Sequence, residues 1–91
     1  MYAYERVWNM AQQYNAQNIK KRTSLLVFLK GSTAPLVLYV ENPETLYEEI
    51  KQAMKSPTPI FMERETTGPL KKVCFVSNQV ASLALQEEQY V

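Results

Sequence analysis

Apolar residues recur at two spacings along this chain, and the change of spacing predicts where helices and strands lie. Over residues 3–20, apolar side chains stand at helical spacing between amide and charged residues, and they are Tyr4, Val7, Trp8, Ala11 and Ile19. This pattern predicts an amphipathic helix that ends within "KKRTS" at 20–24, where positive charge suits a helix C-terminus. We therefore expect an N-terminal amphipathic helix over residues 1–24 and an α+β core over 25–91.

Two strands joined by a turn are predicted next. Segments 25–30 and 35–40 are rich in β-branched and aromatic residues, and "GSTA" between them has the composition of a turn. Both segments are apolar at consecutive positions, which is typical of strands covered on both faces. We expect the second face to be covered by the N-terminal helix or by another chain. Whether Phe28 and Tyr39 share a face depends on the hairpin register.

The stretch "YVENPETLYEEIKQAMKSPTP" predicts a second helix, over residues 43–55. Asn42 suits the N-cap, Pro43 suits the first helical position, and Pro57 disfavours helical geometry at the residue before it. The predicted apolar face of this helix consists of Leu46, Ile50, Ala53 and Met54, with Tyr47 at its margin.

Three further strands are predicted, over residues 60–65, 70–76 and 80–86, followed by a frayed tail at 87–91. In the first of them, alternation places Ile60 and Met62 on one side and Phe61, Glu63 and Glu65 on the other. The predicted order is α-β-β-α-β-β-β, and the expected fold is one α+β domain with a mainly antiparallel sheet of about five strands and two helices.

The composition indicates a globular domain and excludes several classes of protein. The chain has 91 residues, 46% hydrophobic and 21% charged, which is typical of a single globular domain. A formal net charge of +1 gives no global attraction to nucleic acid or to an anionic membrane. There is no apolar run of roughly 18 residues and no secretory signal pattern, and Cys74 is the single cysteine, so we expect a cytoplasmic protein that does not enter a membrane.

Catalysis is not expected, because the chain has no histidine and no motif for a metal, a cofactor or a phosphate. Glu63 and Glu65 lie on one predicted strand face, where carboxylates are usually solvated. We expect Cys74 to be a small buried residue between Val73 and Phe75. A reactive thiol, with Lys71 and Lys72 supplying positive charge, is the alternative.

The N-terminal aromatic residues are the candidate partner-binding site. Amphipathic helices rich in aromatic side chains supply interface anchors, and here they are Tyr4, Trp8 and Tyr14. The alternative is that Trp8 docks on the core of its own domain. We expect a non-catalytic protein–protein interaction or assembly module, with a protein partner or a second copy of the chain as the ligand.

A small RNA- or DNA-binding protein is the alternative function. Positive charge is concentrated in "KKR" at 20–22 and in "KK" at 71–72, and a local basic patch can bind phosphate even when the net charge is low. The candidate nucleic-acid-binding residues are Lys20, Lys21, Arg22, Lys71 and Lys72.

The central residues also resemble a known family. The stretches "LVFLKGSTAPLVLYVENPETLYEEIKQAMKSPTP" and "KKVCFVSNQVASLAL" are similar to a group of short uncharacterised proteins found mainly in cyanobacteria, over residues 25–86. The matching positions are Lys30, Pro35, Leu36, Leu46, Tyr47, Ile50, Ala53, Met54, Lys71, Lys72 and Val73. That family has no assigned activity, so the resemblance implies a fold and a soluble location but no site residue.

Overall fold

The computed structural model describes residues 20–90 of the chain. In chain order the elements are β1 (Lys20–Leu29), β2 (Leu36–Leu38), α1 (Pro43–Met54), β3 (Phe61–Glu65), β4 (Lys72–Val76), a short 3-10 helix (Ser77–Gln79) and β5 (Val80–Tyr90). The predicted α+β class and the antiparallel strand pairing are confirmed. The described residues contain one α-helix, not the predicted two, because the predicted N-terminal helix falls mainly on residues outside them.

The five strands form two sheets, whereas the sequence predicted one. In the three-stranded sheet, β1 is central and pairs with β2 on one edge and with β5 on the other. The β1–β5 ladder runs from Lys20 opposite Tyr90 to Leu29 opposite Val80, with an irregularity after Phe28. Strands β3 and β4 form a separate hairpin.

Two predicted boundaries are wrong, and both errors lie at the same end of the β1–β5 ladder. Residues 20–24 belong to β1 and are not the end of a helix, so the boundary drawn at residue 24 falls inside a strand. Residues 87–90 belong to β5 and are not a frayed tail. Each segment supplies the hydrogen-bonding partner of the other, and a pairing between residues more than 60 positions apart leaves no local signal.

The β1–β2 register settles which residues share a face of the three-stranded sheet. Leu25 lies opposite Leu38, and both are fully buried on the face toward α1. Leu26 and Phe28 alternate to the other face and are half-buried. Tyr39, one residue beyond Leu38, also lies on this other face, so it shares a side with Phe28.

Helix α1 covers the first face of this sheet and completes the core. Asn42 occupies the N-cap position without a side-chain cap hydrogen bond, and Pro43 stands at the start of the helix as predicted. The predicted residues Leu46, Ile50 and Ala53 are buried. Burial of a side chain such as the fully buried Ile50 stabilises a fold by about 1.5–3 kcal/mol. The core, which α1 shares with both sheets, comprises Leu25, Val27, Leu38, Leu46, Ile50, Ala53, Met62, Val73, Phe75 and Val80.

The β3–β4 hairpin meets the rest of the fold at its two ends. At the turn end, the Thr67 backbone N–H donates to the Tyr39 carbonyl at 2.8 Å, forming an isolated bridge. At the open end, the Ile60 backbone N–H donates to the buried Ser77 hydroxyl at 2.9 Å, and the Ser77 N–H donates to the Ile60 carbonyl at 2.8 Å. Strand β3 itself lies beside α1, because Arg64 pairs with Glu49 and Met62 belongs to the same buried core as Ala53, and that placement forms the candidate site.

Candidate binding groove

An open groove of about 770 Å³ lies between α1 and β3. Its volume is within the range of ligand-binding clefts in proteins. The residues that line it are Glu44, Thr45, Glu48, Glu49, Gln52, Ala53, Ile60, Met62 and Arg64. No residue of β4 is among them, and the lining residues from the β3 region, Ile60, Met62 and Arg64, alternate along one face. We call this feature the α1–β3 groove.

Helical periodicity explains which side chains of α1 face the groove. Residues four positions apart lie one above the other on a helix, so Glu44, Glu48 and Gln52 form one row. A second row, one position further along, brings Ala53 to the groove. The first row is exposed, whereas Ala53 in the second row belongs to the buried face of α1, so the wall of the groove is polar along its rim and apolar near its floor.

The floor of the α1–β3 groove is apolar and partly open to solvent. Alternation along β3 points Met62 toward α1, and Ile60, just before the strand, has the same orientation. Met62 and Ala53 are buried, whereas Ile60 remains 39% exposed and is one of three large apolar side chains exposed among residues 20–89. An apolar side chain from a ligand would remove the Ile60 surface from water.

The rim of the groove carries more negative than positive charge. Three carboxylates and one guanidinium are among its lining residues. The guanidinium of Arg64 bridges the two walls, because its Nη2 lies 3.1 Å from Oε1 of Glu49 and its Nη1 donates to the Glu63 carbonyl at 2.7 Å. Glu48 pairs with Lys51 at 3.2 Å on the solvent side of the helix.

The side chains of the groove suit binding by contact and charge. Its functional groups are carboxylates, one amide, one hydroxyl and one guanidinium, and its floor is aliphatic apart from one thioether. Within residues 20–90, no three carboxylate or thiol side chains are grouped so that they could hold a metal ion.

A second polar cluster surrounds Glu88 at the end of the three-stranded sheet where β1 begins and β5 ends. Arg22 Nε lies 3.0 Å from Oε1 of Glu88, and the hydroxyls of Ser24 and Tyr39 each donate to this carboxylate at 3.1 Å. Desolvation of the carboxyl raises the pKa of Glu88, but the hydrogen bonds from Arg22, Ser24 and Tyr39 and the charge of Arg22 outweigh it, so the pKa lies below its ordinary value of 4.5. The cluster links β1, β5 and the residue that follows β2.

The predicted partner-binding residues Tyr4, Trp8 and Tyr14 lie outside the described residues. Of the predicted basic patch, Lys20, Lys21 and Arg22 are exposed on β1, where alternation places Lys21 on the opposite face from the other two.

The rest of the predicted patch lies on the other sheet, where Lys71 and Lys72 are exposed at the start of β4. On β1, the positive charge of Arg22 is already paired with Glu88. The nucleic-acid alternative stays a prediction.

The expectation that Cys74 is buried is wrong. Strand β4 alternates, so Val73 and Phe75 point into the core and the thiol between them is exposed. Cys74 pairs across the hairpin with Glu63, on the outer face that also carries Glu65. The predicted outward orientation of both glutamates is confirmed, as is that of Phe61, which is 65% exposed.

Sequence reasoning missed the α1–β3 groove, although part of the signal was present. The alternation of Ile60 and Met62 correctly put both residues on one side of β3, and the helical row of Glu44 and Glu48 was visible in the periodicity of α1. No local pattern predicts that these two surfaces are neighbours, because the contacts between β3 and α1, such as the Arg64–Glu49 pair, join residues that are distant along the chain.

Comparison of the chain with family models, curated proteins and solved structures gives no match. The resemblance of residues 25–86 to the cyanobacterial family therefore stays a prediction. Within the described part of the chain, no helix has the length and apolar character needed to cross a bilayer.

Proposed function

We propose that the protein is a non-catalytic protein–protein interaction module that binds a short segment of its partner in the α1–β3 groove. The observation that carries this proposal is the exposed Ile60 side chain above the buried floor of Met62 and Ala53, enclosed by the polar rim of α1. An apolar centre with a polar, solvent-accessible rim is the usual anatomy of a protein interface.

The size of the groove supports a segment as the ligand rather than a whole domain face. Each side of a stable complex of two folded domains contributes roughly 20–30 residues, whereas nine of the described residues line the groove. Peptide recognition needs only a few apolar anchors placed beside polar groups that fix their orientation.

The N-terminal residues belong to this proposal as a second contact. The amphipathic helix that the sequence predicts over residues 3–20 carries Tyr4, Trp8 and Tyr14, which would bind the same partner or a second copy of the chain. We also propose that the protein is cytoplasmic and that it is related to the cyanobacterial proteins, and both proposals agree with a small soluble binding module.

A capture experiment with matched variants tests the proposed function. The tagged full chain, Ile60→Ser and Phe61→Ser would each be used to retain proteins from lysate of the native cell, with and without nuclease treatment. Ile60 faces the groove and Phe61, the next residue, faces away, so both variants remove a large exposed apolar side chain from the same strand region.

The expected result is a protein retained by the wild type and by Phe61→Ser but lost with Ile60→Ser. Retention by all three would show that the groove is not the contact, and retention that disappears on nuclease treatment would favour the nucleic-acid alternative. Sedimentation of the purified chain separates a second copy from a different partner, because self-association depends on protein concentration alone.

A further inference from the structure

We propose that the segment bound in the α1–β3 groove is basic, with apolar side chains next to lysine or arginine. This inference rests on the proposed function and specifies the chemistry of the partner. It follows from the charges along the rim of α1, considered together with the apolar floor between the helix and β3.

The row of α1 formed by Glu44, Glu48 and Gln52 places two carboxylates on the rim of the groove, where a bound basic segment would contact them. Glu44 and Glu48 stand one helical turn apart, a spacing of about 6 Å, and both are exposed. Among residues 20–90, no cationic group lies within ion-pair distance of Glu44. The partner of Glu48 is Lys51, which reaches it from the solvent side, and such exposed pairs contribute little and exchange readily.

The remaining charged pair of the groove is already complete. The guanidinium of Arg64 forms an ion pair with Glu49 and donates a hydrogen bond to the Glu63 carbonyl, so its charge is already neutralised by a group of the same chain. An acidic segment would therefore meet the carboxylates of Glu44 and Glu48, and Arg64, the one cation among the described residues that line the groove, is already paired. A lysine or arginine side chain would instead place its charge beside both carboxylates while its methylene stem lies along the wall.

The apolar floor of the α1–β3 groove requires that the bound segment also carry apolar side chains. Ile60 is exposed above Met62 and Ala53, so a side chain such as leucine or isoleucine gains by covering it. A segment with only cationic side chains would leave Ile60 exposed to water. A segment with only apolar side chains would give the rim carboxylates no positive charge to pair with. Alternating apolar and cationic side chains satisfy both surfaces.

Fluorescence anisotropy with two synthetic peptides tests this inference on the full-length protein. One labelled peptide consists of leucine and lysine, and the second has the same length and leucine spacing with glutamate in place of lysine. The leucine–lysine peptide is expected to bind with an affinity that falls as salt rises, and the leucine–glutamate peptide is expected not to bind.

Charge variants with matched controls locate the contact. The double variant Glu44→Gln/Glu48→Gln is expected to weaken binding of the leucine–lysine peptide about fivefold, since each exposed ion pair is worth roughly 0.2–1 kcal/mol. The double variant Glu63→Gln/Glu65→Gln removes the same charge from the outer face of the hairpin and is expected to bind like the wild type.

The outcomes separate this inference from the proposed function. Equal binding of the two peptides, or unchanged binding by Glu44→Gln/Glu48→Gln, would overturn the basic partner, and the groove would still stand if Ile60→Ser loses the cellular protein. If neither Ile60→Ser nor Gln52→Arg, which fills the groove from an exposed position, reduces binding, the groove itself is wrong. Circular dichroism melting confirms that each variant is folded.

Discussion

The phenolic hydroxyl of Tyr39 lies 3.1 Å from both carboxylate oxygens of Glu88, although 49 residues separate the two along the chain. The guanidinium of Arg22 completes the arrangement, with its carbon 3.9 Å from the centroid of the Tyr39 ring. The contact connects the residue after β2 with the end of β5 across the central strand β1. It is therefore expected to stabilise the end of the sheet that sequence reasoning assigned to a helix terminus and a frayed tail.

Removal of the Tyr39 hydroxyl tests this link. Tyr39→Phe is expected to lower the melting temperature, because the Glu88 carboxylate loses a hydrogen-bond donor while the ring beneath Arg22 is kept. Tyr39→Ala is expected to lower it further, since the cation–π contact is lost as well. Equal melting temperatures for Tyr39→Phe and the wild type would show that the hydroxyl contributes nothing to stability.

The pH dependence of stability is expected to report on Glu88. Its pKa is lowered in the folded state, so the ionised carboxylate stabilises the fold above the unfolded value, and this contribution is lost as the pH falls through the lower folded value. The difference in melting temperature between the wild type and Glu88→Gln is expected to be constant at neutral pH and to shrink below the ordinary value of 4.5. A difference that does not change down to pH ~3 would contradict the lowered pKa.

Substitution of Gly68 tests the turn beside the Tyr39–Thr67 bridge, and Gly31, in the turn between β1 and β2, is the matched control. Gly31 and Gly68 both have positive φ, at 80° and 87°, and a side chain costs about 1–2 kcal/mol in such a conformation. A Cβ at Gly68 would also lie 2.9 Å from Cδ2 of Tyr39, whereas a Cβ at Gly31 would have no atom within 4 Å. Chemical denaturation is expected to show a larger loss of stability for Gly68→Ala than for Gly31→Ala, and the reverse order would be inconsistent with the bridge.

The hydroxyl of Ser77 is expected to contribute to the stability of the fold. The side chain is 2% exposed and accepts the backbone N–H of Ile60, which holds the start of β3 in place. Ser77→Ala is expected to cost about 1–3 kcal/mol in the free energy of unfolding, because a part-buried donor is left without its acceptor. Ser82→Ala, at an exposed position of β5, is the control and is expected to change stability by less than about 0.5 kcal/mol.

The elements with strong local signals could be predicted from the sequence. Pro43 and Pro57 bracket α1, which the structure ends at Met54, and the apolar periodicity within it identified Leu46 and Ile50 as core residues. The hairpin of β1 and β2 was predicted from its apolar runs and the turn between them. Propensity and spacing suffice where an element is defined by its own residues.

What could not be predicted depends on contacts between distant residues. The strand character of 20–24 and 87–90 arises from their mutual pairing. The exposure of Cys74 follows once the packing of β4 on the core determines which of its faces is buried. The α1–β3 groove required knowledge that β3 lies beside the helix flank bearing Glu44 and Glu48. The sequence predicted the side chains on each of these two surfaces, but it did not predict that the surfaces are adjacent.

Site-specific photo-crosslinking is the measurement that would decide whether the groove binds a protein. A benzophenone amino acid would replace Gln52, which is exposed within the groove, or Glu65, which is exposed on the outer face of β3. After irradiation in the native cell, a crosslinked protein is expected with the probe at Gln52 and not with the probe at Glu65. Crosslinking from Glu65 alone, or from neither position, would contradict the groove as the binding site.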